Sequence, residues 1–325
     1  MAALTGFRPH VTSAGFERKH LMSGLSRILN FSRAFVSDPL AHWPFVQISR
    51  YAFGNTAGAK QNIYGGAQLA YCRLAGRWRR APVEHAGAVA KARQLRRHGL
   101  VQFEDPIVPA DLVARIRDRC DEIIRSEGMK DDKIIVLAGQ DLVRKNPEVL
   151  RVLDIPLVRG MVSEFFGGGF HIDDVVYRRT FHVEEEVTRK GEVYSDYWHC
   201  DSSPTSELAM FINLLDVDDQ SGPTMIVDKP NTRKFVRRYY KIRTQEALRG
   251  MNEAIDAQGA ARAFTGRAGT MLLAQSTKCL HRASIPAKGR HRDWLSFRLY
   301  PVKGKTVSDR IYKDPVYRFT HGKAV

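Results

Sequence analysis

Residues 208–227 read Leu208-Ala209-Met210-Phe211-Ile212-Asn213-Leu214-Leu215-Asp216-Val217-Asp218-Asp219-Gln220-Ser221-Gly222-Pro223-Thr224-Met225-Ile226-Val227. A short apolar run stops at an acidic cluster. The chain turns through Ser221-Gly222-Pro223 and resumes as a second short run of strand-forming residues. The same texture continues outward: Val175–His182 is rich in β-formers, and Gly269–Ala274 and Trp294–Tyr300 read as further strands. Short strands with Gly and Pro turns suggest a sandwich, barrel or jelly roll rather than βαβ units. Lys234–Ala260 is the one long polar, helix-favouring interruption.

Upstream, the pattern changes near residue 88. Ala88–His98 reads as a helix closed by Gly99, Leu100–Phe103 as a strand, and Pro109–Ser126 as a helix with Leu112, Ile116, Ile123 and Ile124 on one face. Residues 88–325 are therefore expected to form one mainly β domain with flanking helices, preceded by a basic extension over 1–87. Within the extension, Leu21, Leu25, Ile28 and Leu29 have helical spacing, a stripe that breaks at Ser32. Asn55–Gly66 reads as loop, and Tyr71–Arg80 as a basic run around Trp78.

Charge is unevenly spread. The chain has 325 residues and a net charge of +16, yet residues 1–100 hold 15 Lys and Arg against Glu17, Asp38 and Glu84. A basic arm of this kind suits an anionic partner, or simply a solvated face. The four cysteines, Cys72, Cys120, Cys200 and Cys279, contain no C-x-x-C pair, which argues against a zinc ribbon or a disulfide framework. Met1–Ala14 lacks the apolar stretch of a signal peptide, and no run of about 18 apolar residues suggests a transmembrane helix. A cytoplasmic location is expected.

The chemistry concentrates in Tyr197-Trp198-His199-Cys200-Asp201. Residues i and i+2 of a strand point to one side, so His199 and Asp201 can aim at a common point. His281 is a candidate third ligand, beyond the apolar strand that starts at Gly269. Two histidines and one carboxylate on one octahedral face form the facial triad of non-haem Fe(II) oxygenases. Alternation points Cys200 away from that side, and Cys279 is expected to pack inertly. Arg292, eleven residues after His281, offers a planar fork for a carboxylate. Arg298 competes with it, because 292, 294, 296 and 298 share one strand face. The spacing from His281 favours Arg292.

Taken together, His199-Cys200-Asp201, Asn213 to Asp218, Ser221-Gly222-Pro223, Ala268 to Leu273, His281 and Arg292 resemble the core of phytanoyl-CoA dioxygenase-like enzymes. The resemblance spans roughly residues 88–302. It implies a double-stranded β-helix (a cupin-like jelly roll) and iron held by His199, Asp201 and His281. It implies 2-oxoglutarate gripped by Arg292 with Asn213 lining its pocket, O2 as oxidant, and succinate and CO2 as co-products. Cys200 stands where the family often has Gln, Ala283 where Ser or Gly is common, and Asp228-Lys229-Pro230-Asn231 replaces the usual Pro-Gly-Ser-His. A carboxylate at Asp201 argues for hydroxylation rather than halogenation.

The resemblance implies a small-molecule substrate. Arg178, Arg179 and His182 are candidate contacts for an anionic group on it, and Lys234–Ala260 a candidate lid. Three rival readings are a non-catalytic jelly-roll binding protein, a cupin-like metalloenzyme that does not use 2-oxoglutarate, and a nucleic-acid-directed oxygenase using the basic arm. Nucleic acid is the less favoured partner, since basic residues interleaved with aromatics are a weak sign.

Overall fold

The computed structural model describes residues 51–76, 85–184, 197–239 and 245–302. The Leu21–Phe35 stripe and the Trp78 end of the basic run lie outside the described residues. Two antiparallel sheets form the body. The larger is six-stranded: β1 (Leu100–Gln102), β7 (Met271–Ala274), β4 (Leu208–Asn213), β9 (His291–Val302), β3 (Gly169–Phe181) and β2 (Ile134–Ala138), in that spatial order. The smaller has the order β6 (Ala261–Phe264), β5 (Thr224–Val227), β8 (His281–Arg282). An isolated bridge between His199 and His281 adds a fourth extended segment beside β8. From β3 onward the chain alternates between sheets: large, small (at His199), large, then β5 and β6 in the small sheet, large, small, large. That alternation is the double-stranded β-helix expected from the sequence.

Period-two alternation sets which side chains face inward. On β4 and β9, Leu208, Met210, Ile212, Leu295, Phe297 and Leu299 pack outward against helices. Those helices are α2 (Ala86–His98), α3 (Ala110–Ser126) and α5 (Pro156–Phe166), and the whole forms the main core. Residues Ala209, Phe211 and Asn213 pair with Arg298, Ser296 and Trp294 and line the inner face. On β3 the outward parity switches from Phe170 and Ile172 to Val175 and Tyr177. A bulge between Ile172 and Asp174 inserts the extra residue that permits this.

Two further helices, α6 (Lys229–Tyr239) and α7 (Gln245–Ala257), cover the outer face of the small sheet. Phe235, Val236, Met251 and Ile255 bury against Trp198, Cys200, Val227 and Leu280 there. Where it is described, over 234–239 and 245–260, the expected lid is therefore packed helical cover on the far side of that sheet, because Phe235, Val236, Met251 and Ile255 bury against it. α2 ends as expected at Gly99, whose φ of 77° closes the helix with an N–H bond to Leu95.

The expected loop over Asn55–Gly66 is a correction. α1 (Ala59–Gly76) is a helix, preceded by the short turn at Asn55 and Thr56 and followed later by α4 (Gly139–Lys145) in the chain order. Gly65 breaks the sequence signal for helix but serves close packing: a Cβ there would lie 2.3 Å from the Thr205 backbone nitrogen. Thr205 donates its N–H to the Gln61 carbonyl, and Ser206 its hydroxyl to Gln68. Thr56 accepts from the Cys200 N–H at 2.8 Å. Residues 51–76 thus brace the segment 200–206. Among the described residues, no helix is long and apolar enough to cross a membrane.

Candidate metal centre

His199 and His281 sit opposite each other on neighbouring extended segments of the small sheet. Trp198, Cys200 and Leu280, the residues beside them, bury outward under α6 and α7. Alternation therefore turns both imidazoles inward. Asp201 follows two residues after His199 and is tied down by its N–H to the Ser276 carbonyl at 3.2 Å. One donor atom from each of His199, Asp201 and His281 lies within 4.8 Å of the others. Nε2 of His281 and of His199 stand 3.5 and 3.9 Å from Oδ1 of Asp201. The three side chains are largely but not fully covered.

These residues fit a small divalent ion. Nδ1 of His199 lies 2.9 Å from the Tyr197 carbonyl, and Nδ1 of His281 lies 3.1 Å from the Cys279 carbonyl. A carbonyl only accepts, so Nδ1 carries the hydrogen and Nε2 keeps its lone pair for a metal. An ion about 2.1 Å from nitrogen and oxygen donors holds neighbouring octahedral donors about 3 Å apart, so the set, with both histidines 3.5–3.9 Å from Asp201, stands slightly open.

Electrostatics agrees with that donor set. Burial works against ionisation of Asp201, but the facing His281 ring and the Ser276 hydroxyl hold its carboxyl well below the usual carboxylate range. Burial and the neighbouring His281 push the His199 imidazole down. Burial also opposes the charge on His281, and the Asp201 carboxylate outweighs it and raises that imidazole. The site already holds an anion against two rings, the charge balance a cation would inherit.

Arg292 lies across the interior, the second residue of β9 after His291. It is 4% exposed. Its Nη1 donates to the Gly222 carbonyl and, at 3.3 Å, to the Thr224 hydroxyl, both at the start of β5. Since β5 pairs Ile226 with His281, Arg292 and the triad face the same interior. Arg298 stands at the other end of the same strand face, exposed to solvent and opposite Ala209. The two arginines that sequence could not separate by parity are separated by burial. Asn213 is on the inner face, but its amide donates to the Thr270 hydroxyl at 3.0 Å.

Other expectations divide. Arg178 faces inward, its guanidinium 5.0 Å from the Trp294 ring. Arg179 faces the opposite way and binds Asp293 and Asp121, so it is a structural cation and not a substrate contact. His182 contacts the Pro286 carbonyl through Nδ1. Cys200 and Cys279 are buried free thiols outside the triad. Sequence reading missed Ser276 and Glu207. Ser276 bonds Asp201 and lies 3.4 Å from Glu207, a carboxyl that burial pushes up and that accepts from Tyr300. An acid set directly before the apolar run Leu208–Leu215 was the available signal.

No family model and no curated protein matches the chain. Solved structures similar to it include the non-heme alpha ketoglutarate dependent carbocyclase SnoK from nogalamycin biosynthesis, at 18% identity over 65% of this chain and 83% of that one, with a TM-score of 0.46. EctD from S. alaskensis with 2-oxoglutarate and 5-hydroxyectoine is 16% identical over 68% and 77%, with a TM-score of 0.49. The non-heme monooxygenase ThoJ in a Ni complex is 12% identical over 65% and 77%, at 0.44. These likenesses are distant, and the chemistry of the site is read from the residues of this chain.

Proposed function

We propose that the chain is an Fe(II)- and 2-oxoglutarate-dependent oxygenase of the phytanoyl-CoA dioxygenase-like type, hydroxylating an unactivated C–H bond of a small anionic molecule. The observation that supports it is the convergence of His199, Asp201 and His281 on one point, with buried Arg292 on the same interior. Two imidazoles and one carboxylate leave three coordination positions open. When bound, iron with 2-oxoglutarate supplies oxidation by O2, yielding succinate and CO2.

The chain's own residues do the rest. Tyr197 and Cys279 carbonyls fix the two histidine tautomers. Ser276 orients the Asp201 carboxylate. Arg292, held by Gly222 and Thr224, presents its fork to the distal carboxylate of the cosubstrate, a group that needs such a partner once buried. Trp294, Phe211 and Leu272 narrow the interior between the sheets and exclude water. Inward-facing Arg178 supports an anionic substrate.

Anaerobic titration of the purified chain with Fe(II) and then 2-oxoglutarate tests this. A weak visible charge-transfer band is expected, absent in His199→Ala and requiring far more 2-oxoglutarate in Arg292→Ala. Iron binding without the band would remove 2-oxoglutarate from the reading and favour a cupin-like metalloenzyme. Failure to bind iron would remove the enzyme itself.

A further inference from the structure

A second charged cavity lies outside the metal centre. It has a volume of about 200 Å3 and is lined by Phe53, Gly54 and Asn55 before α1, by Asn62 within it, by Thr205, and by Lys229, Arg233 and Lys278. Among the described residues, no acidic side chain lines it. The nearest acid in sequence, Asp228, uses Oδ1 to accept the Asn231 N–H at the start of α6.

The three cations are poorly compensated. Neither the Lys278 ammonium nor the Arg233 guanidinium has a hydrogen bond or ion pair among the described residues. Among the described residues, Lys229 donates to the Arg96 carbonyl alone, at 2.6 Å. Arg73, from the end of α1, adds a further positive charge to the cluster. Burial, and after it the neighbouring cations, push the Lys278 ammonium down to about 8 and lower that of Lys229. Like charges gathered in a concavity without a counter-ion are destabilising unless an anion joins them. Arg233 is also held in place: a Cβ on Gly54 would lie 2.7 Å from its Cγ, so the chain there stays bare to admit it.

We propose that this cavity is a phosphate-binding site. A phosphate carries up to two negative charges and several acceptor oxygens, matching three converging cations better than a single carboxylate does. The Asn55, Asn62 and Thr205 side chains are already engaged with each other and with α1, which keeps the walls rigid. The ligand is a free phosphate or the phosphate group of a larger molecule. Lys278 stands three residues before His281 and Thr205 four after Asp201, so the Cα atoms of these two lining residues lie within roughly 10–14 Å of those of the candidate ligands. The assignment does not depend on the oxygenase reading.

Isothermal titration of the full-length, metal-free chain with inorganic phosphate at low ionic strength tests it, metal being omitted because phosphate also binds iron. Glycerol phosphate and a nucleoside monophosphate serve as organic probes. One-to-one saturable binding is expected, weakened at least tenfold by Lys278→Met and by Arg233→Met. Lys234→Met, next to Arg233 on the same helix but outside the cavity lining and bonded to Asn231, is expected to leave it unchanged. Melting curves verify folding of each variant, and Lys278→Met is expected to melt no lower than the wild type because it removes repulsion. Equal affinity for phosphate and its esters identifies a free-anion site; ester binding tenfold tighter identifies the anchor of an organic ligand. No saturable binding, or binding indifferent to both cavity substitutions, overturns the proposal.

Discussion

His199 and His281 exchange both backbone hydrogen bonds of an isolated antiparallel bridge, His199 N–H to His281 carbonyl at 3.1 Å and the reverse at 2.9 Å. Their rings consequently stand 4.4 Å apart, centroid to centroid. Two candidate ligands far apart in the chain are thereby fixed to one another by main chain. Their separation survives changes in the residues around them.

Removing either ring should therefore abolish tight metal binding while leaving the sheet intact. His199→Ala and His281→Ala are each expected to lose Fe(II) affinity by at least a hundredfold, with circular dichroism of the wild-type form. Ser276→Ala acts through Asp201 and is expected to lose about 10–100-fold, the usual effect of removing a group that orients a metal ligand. Competition titration with a metal-responsive dye reads all three. Unchanged affinity in His281→Ala would sink the triad.

Arg292→Lys tests geometry separately from charge. A lysine keeps the positive charge but presents no planar fork. The apparent 2-oxoglutarate affinity should fall about 10–1,000-fold, a loss of roughly 1.5–4 kcal/mol, with Fe(II) affinity unaltered. Arg298→Lys, at the solvent-exposed end of the same strand face, should change neither. The reverse outcome would transfer the cosubstrate role to Arg298.

Asp293 supports the fold and not the chemistry. It is fully buried and accepts from Arg179 Nε at 2.8 Å and from the Tyr177 hydroxyl at 2.9 Å. Asp293→Ala leaves Arg179 with Asp121 alone and the buried Tyr177 hydroxyl without its acceptor, and should destabilise by about 1–3 kcal/mol. Urea denaturation measures the loss. Residual native protein should still bind Fe(II) normally, since Asp293 projects from the face opposite Arg292.

Lys278 predicts a pH effect on stability with a definite sign. Its folded ammonium titrates near 8 because of burial and then of Lys229, Arg73 and Arg233, whereas an unfolded lysine titrates near 10.4. Between those values the unfolded chain binds more protons, so stability rises with pH through about 8 to 10.4. In phosphate-free buffer, the stability of wild type relative to Lys278→Met should increase by up to about 3 kcal/mol across that window. A flat difference would show that the ammonium is not repelled.

Sequence alone determined the properties that follow from short-range geometry. The i, i+2 relation of His199 and Asp201 is a consequence of extended backbone, and it made both candidate ligands legible. Turn residues such as Ser221-Gly222-Pro223 marked the small strands, so the jelly-roll class was legible as well. Tertiary structure decided what local pattern leaves degenerate. Arg292 and Arg298 share strand parity, and only the approach of β5 buries one and leaves the other in water. Arg178 and Arg179 are equal as neighbours in sequence, yet the sheet sends one to the interior and the other to Asp293. Gly65 reads as a helix breaker until the Thr205 backbone is seen against it. The cluster of Lys229, Arg233 and Lys278 joins two segments about fifty residues apart. No periodicity encodes that meeting, because it is produced by how α6 and the β7–β8 turn pack around α1.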